Sequence, residues 1–176
     1  MKVEYKFSDT ETQKLLKELV ILVDTREQEN KHILDYFTEK NIKYEAKKLD
    51  SGDYSVKLPA MPDMGLAREM YVPVAIEKKN SIDELAGSFK ERTRFENEFI
   101  RAQGSGIRIF LLIEDAAGYE NIIKANYRSE YNAKALLASV KAFECRYGFT
   151  TAFVDKKLSG NWIYWTLRSY TRELLL

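Results

Sequence analysis

The chain has very little of three residue types that usually carry chemistry or cross-links: one cysteine, one histidine and three prolines in 176 residues. A lone Cys145 excludes a disulfide framework and any cysteine-rich zinc site. A lone His32 excludes multi-histidine metal sites and argues against a Ser-His-Asp triad. Any metal therefore falls to carboxylates, which favours hard ions such as magnesium. No apolar run approaches the roughly 18 residues of a membrane span, and the opening MKVEYKFSDTETQ has no apolar core of a secretory signal. The expectation is a cytoplasmic chain with no membrane contact. With no repeat, low-complexity segment or linker, the 176 residues read as one domain.

What is present in quantity is charge of both signs. Lys and Arg number 28 and Asp and Glu 27, a net +1, so overall charge selects no partner. Residues 121–176 carry nine basic and four acidic side chains, and the first 120 carry 19 and 23. A C-terminal third of that sign suits a polyanion, and it equally suits ordinary solvated helix faces.

Hydrophobic patterning alternates strand with helix. Val20–Val23, Met70–Glu77 and Ile107–Ile113 are buried-strand runs, with Pro73 marking an edge or a bulge. Val3, Tyr5 and Phe7 alternate as a short strand over 2–7. Tyr54–Leu58 and Phe149–Val154 add strands. Ser8 with Glu11, and Ser81 with Glu84, form capping-box patterns that open helices. The helix after Ser81 runs to about Gln103, with a break near 90–94. Such alternation predicts an α/β domain, a central mixed sheet with helices on both faces, and ligand chemistry at strand ends.

Four acids lie where strands end or helices begin: Asp24, Asp53, Glu77 and Asp83. Lys79 follows Glu77 by two, so a strand would put both on one face. Carboxylates that hold divalent ions, beside a lysine that positions water or offsets developing charge, suit phosphodiester hydrolysis. Taken singly these signals are common: acid-x-Lys recurs in charged chains, and Asp83 reads equally as a helix-start charge. Trp162, Tyr164, Trp165 and Tyr170 are expected to pack on the sheet or a subunit interface, Cys145 in the core, and His32 at an exposed helix start.

The ordered string says more. Gly52-Asp53, then 23 residues, Glu77-Lys78-Lys79, three residues and Asp83 resembles the G-D-X(n)-E-R-K-X3-D signature of the ERCC4-type nuclease domain of the XPF/MUS81 family. Val23-Asp24-Thr25-Arg26-Glu27 resembles that family's V-D-x-R-E element. Similarity continues through 85–89, 110–114 and 146–148, so it covers about 19–168 and leaves 1–18 as an N-terminal extension.

The resemblance implies a restriction-endonuclease-like fold and a Mg2+- or Mn2+-dependent endonuclease acting on branched or flapped DNA. It implies Asp53 and Glu77 as principal metal ligands, with the Lys78 carbonyl as a third and Asp24 as an additional metal-site acid. Lys79 would be the catalytic lysine, Arg26 an organiser of the site, and Glu27 and Asp83 supporting acids. Lys78 stands where the family has Arg, which keeps charge and loses bidentate geometry. In KERTRFENE either Arg92 or Arg94 would contact DNA. No helix-hairpin-helix pattern follows Gly160, so DNA affinity is expected from the domain, a homodimer or a partner subunit. The competing readings are a catalytically inert or partner-dependent DNA-binding subunit, and a nuclease for RNA or simple duplex ends.

Overall fold

The computed structural model describes residues 6–176. Most of the strand expected over 2–7 therefore lies outside the described residues; the Phe7 amide donates to the Leu175 carbonyl at 3.1 Å. Helix α1 spans Asp9–Lys17, and its Ser8 capping box forms with both reciprocal bonds. Then come β1 (Val20–Val23), α2 (Lys31–Glu39), β2 (Tyr44–Ala46), β3 (Tyr54–Leu58), β4 (Met70–Tyr71) and β5 (Val74–Lys79). The second half holds α3 (Ile82–Lys90), α4 (Arg92–Gly104), β6 (Arg108–Ile113), α5 (Gly118–Ile123), α6 (Ala133–Tyr147), β7 (Thr150–Phe153) and α7 (Ser159–Leu175).

The run expected as one strand over 70–77 is two strands. Proline has no N–H for a ladder, and the chain turns at Pro73, where the Val74 amide donates to the Val72 carbonyl at 2.8 Å. Before the turn β4 pairs with β3; after it β5 pairs with β3 and β6. The break expected near 90–94 falls at Glu91, between α3 and α4.

The sheet is mixed, in the order β2-β1-β3-β5-β6-β7 with β4 beside β3. On one face α1, α2 and α7 bury Leu15, Ile33, Phe37, Ile163 and Leu167 against Ile21, Val23, Tyr54, Val56 and Ile76. On the other, α3, α4 and α6 bury Leu85, Phe95, Phe99, Leu136 and Phe143 against Ala75, Ile109, Leu111 and Ile113. Phe89, Phe95, Phe99 and Phe143 interlock edge to face, with centroids 4.9 to 5.3 Å apart in three of these pairs, a favoured aromatic geometry. Helices thus lie on both faces, but this second core takes residues from β5 and β6 and none from β1–β4 among the described residues. The β1–β3 half of that face is left without a helix core.

Two smaller expectations change. Cys145 is exposed on α6 rather than buried. Trp162, Tyr164 and Tyr170 pack on the first core as expected, whereas Trp165 is about half exposed. Among the described residues no helix is long and apolar enough to cross a membrane.

Candidate active site

The ends of β1, β3 and β5 are laced together by backbone bonds. The Asp24 amide donates to the Asp53 carbonyl, and the Asp53 amide to the Ile76 carbonyl, each at 2.8 Å. Gly52 makes the approach possible. Its φ is +70°, and a Cβ there would sit 2.9 Å from the Ile76 carbonyl oxygen; only glycine combines that dihedral with that contact. The Gly-Asp pair is therefore a backbone requirement that delivers Asp53 to the end of β5.

The result is a cleft of about 450 Å³ bounded by the loops after β1 and before β3, the end of β5, and one face of α4. Eight carboxylates and five Lys or Arg line it, a formal −3. Asp53 and Glu77 form its floor. The Lys78 amide donates to Asp53 Oδ2 at 2.7 Å. Burial, and then the nearby Glu77 charge, push the Asp53 carboxyl well above its usual range despite that amide. A partly buried carboxyl whose charge a neighbouring acid opposes is what a divalent cation relieves, so Asp53 beside Glu77 fits a hard metal such as Mg2+ or Mn2+.

The period of two holds on β5: Glu77 and Lys79 point together, and Lys79 Nζ donates to Glu77 Oε1 at 2.7 Å. Lys79 Nζ also lies 5.1 Å from the Phe95 ring centroid. Burial works to lower the Lys79 pKa, but Glu77, with Asp53 and Glu84 behind it, raises it overall, so the lysine is held as a cation.

Asp24, implied as an additional metal-site acid, is held by the chain's own donors. Its Oδ1 accepts from the Arg26 amide and Nε, both at 2.8 Å, and its Oδ2 from Arg26 Nη2 at 2.9 Å and the Leu49 amide at 2.7 Å. A carboxylate offers about four lone-pair sites, and all four are used by the chain. Burial would raise this carboxyl, but the Arg26 side chain and the two amides outweigh it and hold it below its usual value. Arg26 Nη2 also donates to the Leu49 carbonyl at 2.8 Å. Arg26 thus ties the loop after β1 to the loop before β3. Among the described residues no three acidic, histidine or cysteine side chains converge on one cation position.

Lys78 points the other way from its neighbours, with a fully buried side chain. Its ammonium donates to the Glu29 carbonyl at 3.2 Å and to Asn80 Oδ1, and lies 3.8 and 3.9 Å from Glu27 and Glu114. The position that departs from the signature therefore holds the chain's own acids. Burial raises the Glu27 carboxyl, with Lys78 opposing. His32, expected at an exposed helix start, instead meets the buried Glu114 at 2.5 Å.

Asp83 does more than favour a helix dipole. Its Oδ1 accepts from the Ser129 amide at 2.6 Å and its Oδ2 faces Arg128 Nε at 3.4 Å, so it clamps the loop between α5 and α6 to the first turn of α3. The neighbouring capping box forms only in part. Ser81 Oγ accepts from the Glu84 amide at 3.1 Å, but the Glu84 carboxylate turns to the Asn80 amide at 2.6 Å.

Between the two arginines left open, the structure puts Arg94 at the cleft and Arg92 over the Phe143 ring, 5.0 Å from its centroid. Sequence reasoning missed Glu98 and Arg101. Arg94, Glu98 and Arg101 each precede a buried residue, Phe95, Phe99 and Ala102, so they form a polar stripe beside the apolar one. That i, i+4, i+7 stripe was a readable signal. Burial and Glu77 raise the Glu98 carboxyl, against the pull of Lys79, Arg101 and Arg94.

The ERCC4 domain profile matches residues 23–165. The chain belongs to the ERCC4 domain family. That places it in a family of DNA nucleases. Among solved structures, XPF from Aeropyrum pernix is similar over 85% of this chain and 60% of its own, at 20% identity and a TM-score of 0.60. The same protein in complex with DNA is similar over 88% and 66%, with the same identity and score. This chain thus spans less than two thirds of the length of either XPF chain, and at this identity the likeness establishes the fold. The search of curated proteins finds no match.

Proposed function

We propose that this ERCC4 domain is a divalent-metal-dependent DNA endonuclease, using Mg2+ or Mn2+ and acting on branched or flapped DNA. The observation that carries the reading is the meeting of Asp53, Glu77 and a protonated Lys79 at one strand end. Asp53 and Glu77 would hold the metal, which supplies Lewis-acid polarisation of the phosphate and a lowered pKa for water. A cleft that carries −3 before any cation enters repels a phosphodiester, which supports metal dependence. Lys79 donates to a non-bridging phosphate oxygen and offsets charge in the transition state. Arg94 and Arg101 line the α4 side, where they face the strand's phosphates. Asp24, with its lone pairs filled, acts as an anchor for the loops that carry Arg26 and Asp53.

The ion pair between Lys79 and Glu77 favours one variant of this reading, in which partner or DNA contact completes the site. The apolar side chains of α7, including Trp165, suit a second copy or a partner subunit. An assay with Mg2+ or Mn2+ tests both. It compares single strand, duplex, 3′-flap, splayed-arm and RNA substrates, with Asp53→Asn beside the wild type. Cutting of branched DNA that is lost in Asp53→Asn is the expected result. Well-folded protein that cuts nothing would move the reading to an inert or partner-dependent DNA-binding subunit.

A further inference from the structure

The half of the sheet that lacks a helix core carries a groove of about 420 Å³. Strand register sets what faces it. Leu22 pairs with Ser55 and Glu45, and Lys57 pairs with Tyr71, so all five side chains share the face opposite the α1–α2–α7 core. Leu22, Ala75 and Ile107 supply an apolar floor, while Val72 and Val74 turn their side chains into the first core. Lys47 and Lys48 stand on the rim. Tyr71 is about half exposed, with Lys47 Nζ 4.9 Å from its ring centroid. At one end the groove runs into the catalytic cleft, for Asp50 and Ser51 line both.

We propose that this groove seats a single-stranded arm of the DNA as it leaves the cleft, with a base stacked on Tyr71 and phosphates at Lys47 and Lys48. The inference rests on the nuclease reading, since continuity with the cleft is what selects the occupant. Three features favour an unpaired strand over a duplex or a peptide. The exposed ring offers a π-face, which only an unstacked base can use. The lysine over the ring adds a cation beside the base, as single-strand sites do. The charge is also less repulsive to phosphate than that of the cleft. Lys57, the third cation, lies 2.7 Å from both Glu45 and Glu69 and is spent on them. With Lys47 and Lys48 beside Asp50, three cations meet three acids, a local charge of zero next to a cleft of −3. The Tyr71 hydroxyl donates to Glu69 Oε2 at 2.9 Å, which fixes the ring edge, and a stacked base would share the half-exposed ring with the Lys47 ammonium over it.

The test reads binding without cutting. Fluorescence anisotropy of a labelled single-stranded oligodeoxynucleotide, and of the same length as duplex, is measured in EDTA. The probe strand carries 2-aminopurine, whose quenching reports stacking. Tyr71→Leu should weaken single-strand binding about tenfold, abolish the quenching and change duplex binding less than about twofold. Tyr71→Phe keeps the ring and should bind and quench as wild type. That variant also separates loss of stacking from loss of the strand pairing on β4. Lys47→Ala with Lys48→Ala should lower the salt dependence of single-strand binding by about 1.4 in log–log slope, roughly 0.7 per phosphate contact. Tyr71→Leu that binds single strand as wild type overturns the proposal, and so does a loss equal for single strand and duplex. Wild type that binds no single strand at low salt also overturns it and gives the groove to a protein segment. The two readings fail separately. Ring-dependent binding without any cleavage in Mg2+ or Mn2+ sinks the nuclease reading alone, and cleavage with no effect of Tyr71→Leu sinks the groove alone.

Discussion

Asp24 and Asp53 are joined by a backbone hydrogen bond and line the same cleft, yet their environments are opposite. Asp24 has every lone pair filled by Arg26 and Leu49, and its carboxyl is held low. Asp53 accepts one amide, faces Glu77, and its carboxyl is pushed high. One acid is spent on structure, and the other is partly buried with its charge opposed by Glu77. Charge count and sequence position do not separate the two; the number of donors around each does.

The sharpest break in that comparison is chemical. Asp53→Asn or Glu77→Gln should reduce cleavage on the order of a thousandfold or more, because metal activation contributes several kcal/mol and each 1.4 is tenfold. Calorimetry with Mn2+ should show the binding loss in the same variants. Cutting at the wild-type rate would remove those residues from the mechanism. Lys79→Ala should lower turnover more than DNA affinity; equal losses would make Lys79 a phosphate contact instead.

Stability separates the aspartates next. Asp24→Asn puts an amide NH2 against the Arg26 and Leu49 donors and should cost about 2 kcal/mol. For a chain of this size that lowers Tm by roughly 4–8 °C. Arg26→Met should cost about half as much, since the Arg26 side chain is 65% exposed and solvent screens its share of the pair. Asp53→Asn should move the other way without divalent ion, up by about 1 kcal/mol, as relief of strain at a functional site does. Equal destabilisation by both variants would show that the two acids are equivalent anchors.

The sequence carried more of the fold than of the site. Strand runs, the Ser8 capping box and the break before α4 were legible because they are local. So was the face shared by Glu77 and Lys79, since strand period decides it. Gly52-Asp53 was legible as a motif, while its cause, a carbonyl 2.9 Å from any added Cβ, lies on another strand. Contacts between distant residues stayed hidden. His32 meets Glu114 across 82 positions, and Asp83 holds Ser129 across 46. The saturation of Asp24 depends on an amide 25 residues away. Glu98 was readable from its stripe on α4, but nothing local says that α4 turns that stripe toward Glu77. Pro73 marks an edge or bulge by its missing N–H alone, and the structure puts it in the turn between β4 and β5.

The finest distinction between the two acids is in pH. Asp24 has a folded pKa below its unfolded value, so its stabilisation is present above the unfolded value and is lost as pH falls through the folded one. Asp53 has a folded pKa above its unfolded value. Its folded form binds the proton more tightly, so it favours the fold at low pH, and that contribution is lost as pH rises through the raised value. Thermal melts of wild type and Asp53→Asn from roughly pH 4 to pH 7, without divalent ion, read the difference directly. The Tm advantage of Asp53→Asn should be small at the acid end, where wild-type Asp53 is protonated and resembles the amide. It should widen toward neutrality as the wild-type carboxyl is forced to ionise beside Glu77. Adding Mn2+ at neutral pH should then raise the wild type above the variant, because the cation stabilises the ionised pair that the variant no longer has. A gap that stays constant with pH would mean that Asp53 carries no charge strain and would remove the physical basis for assigning the cation to it.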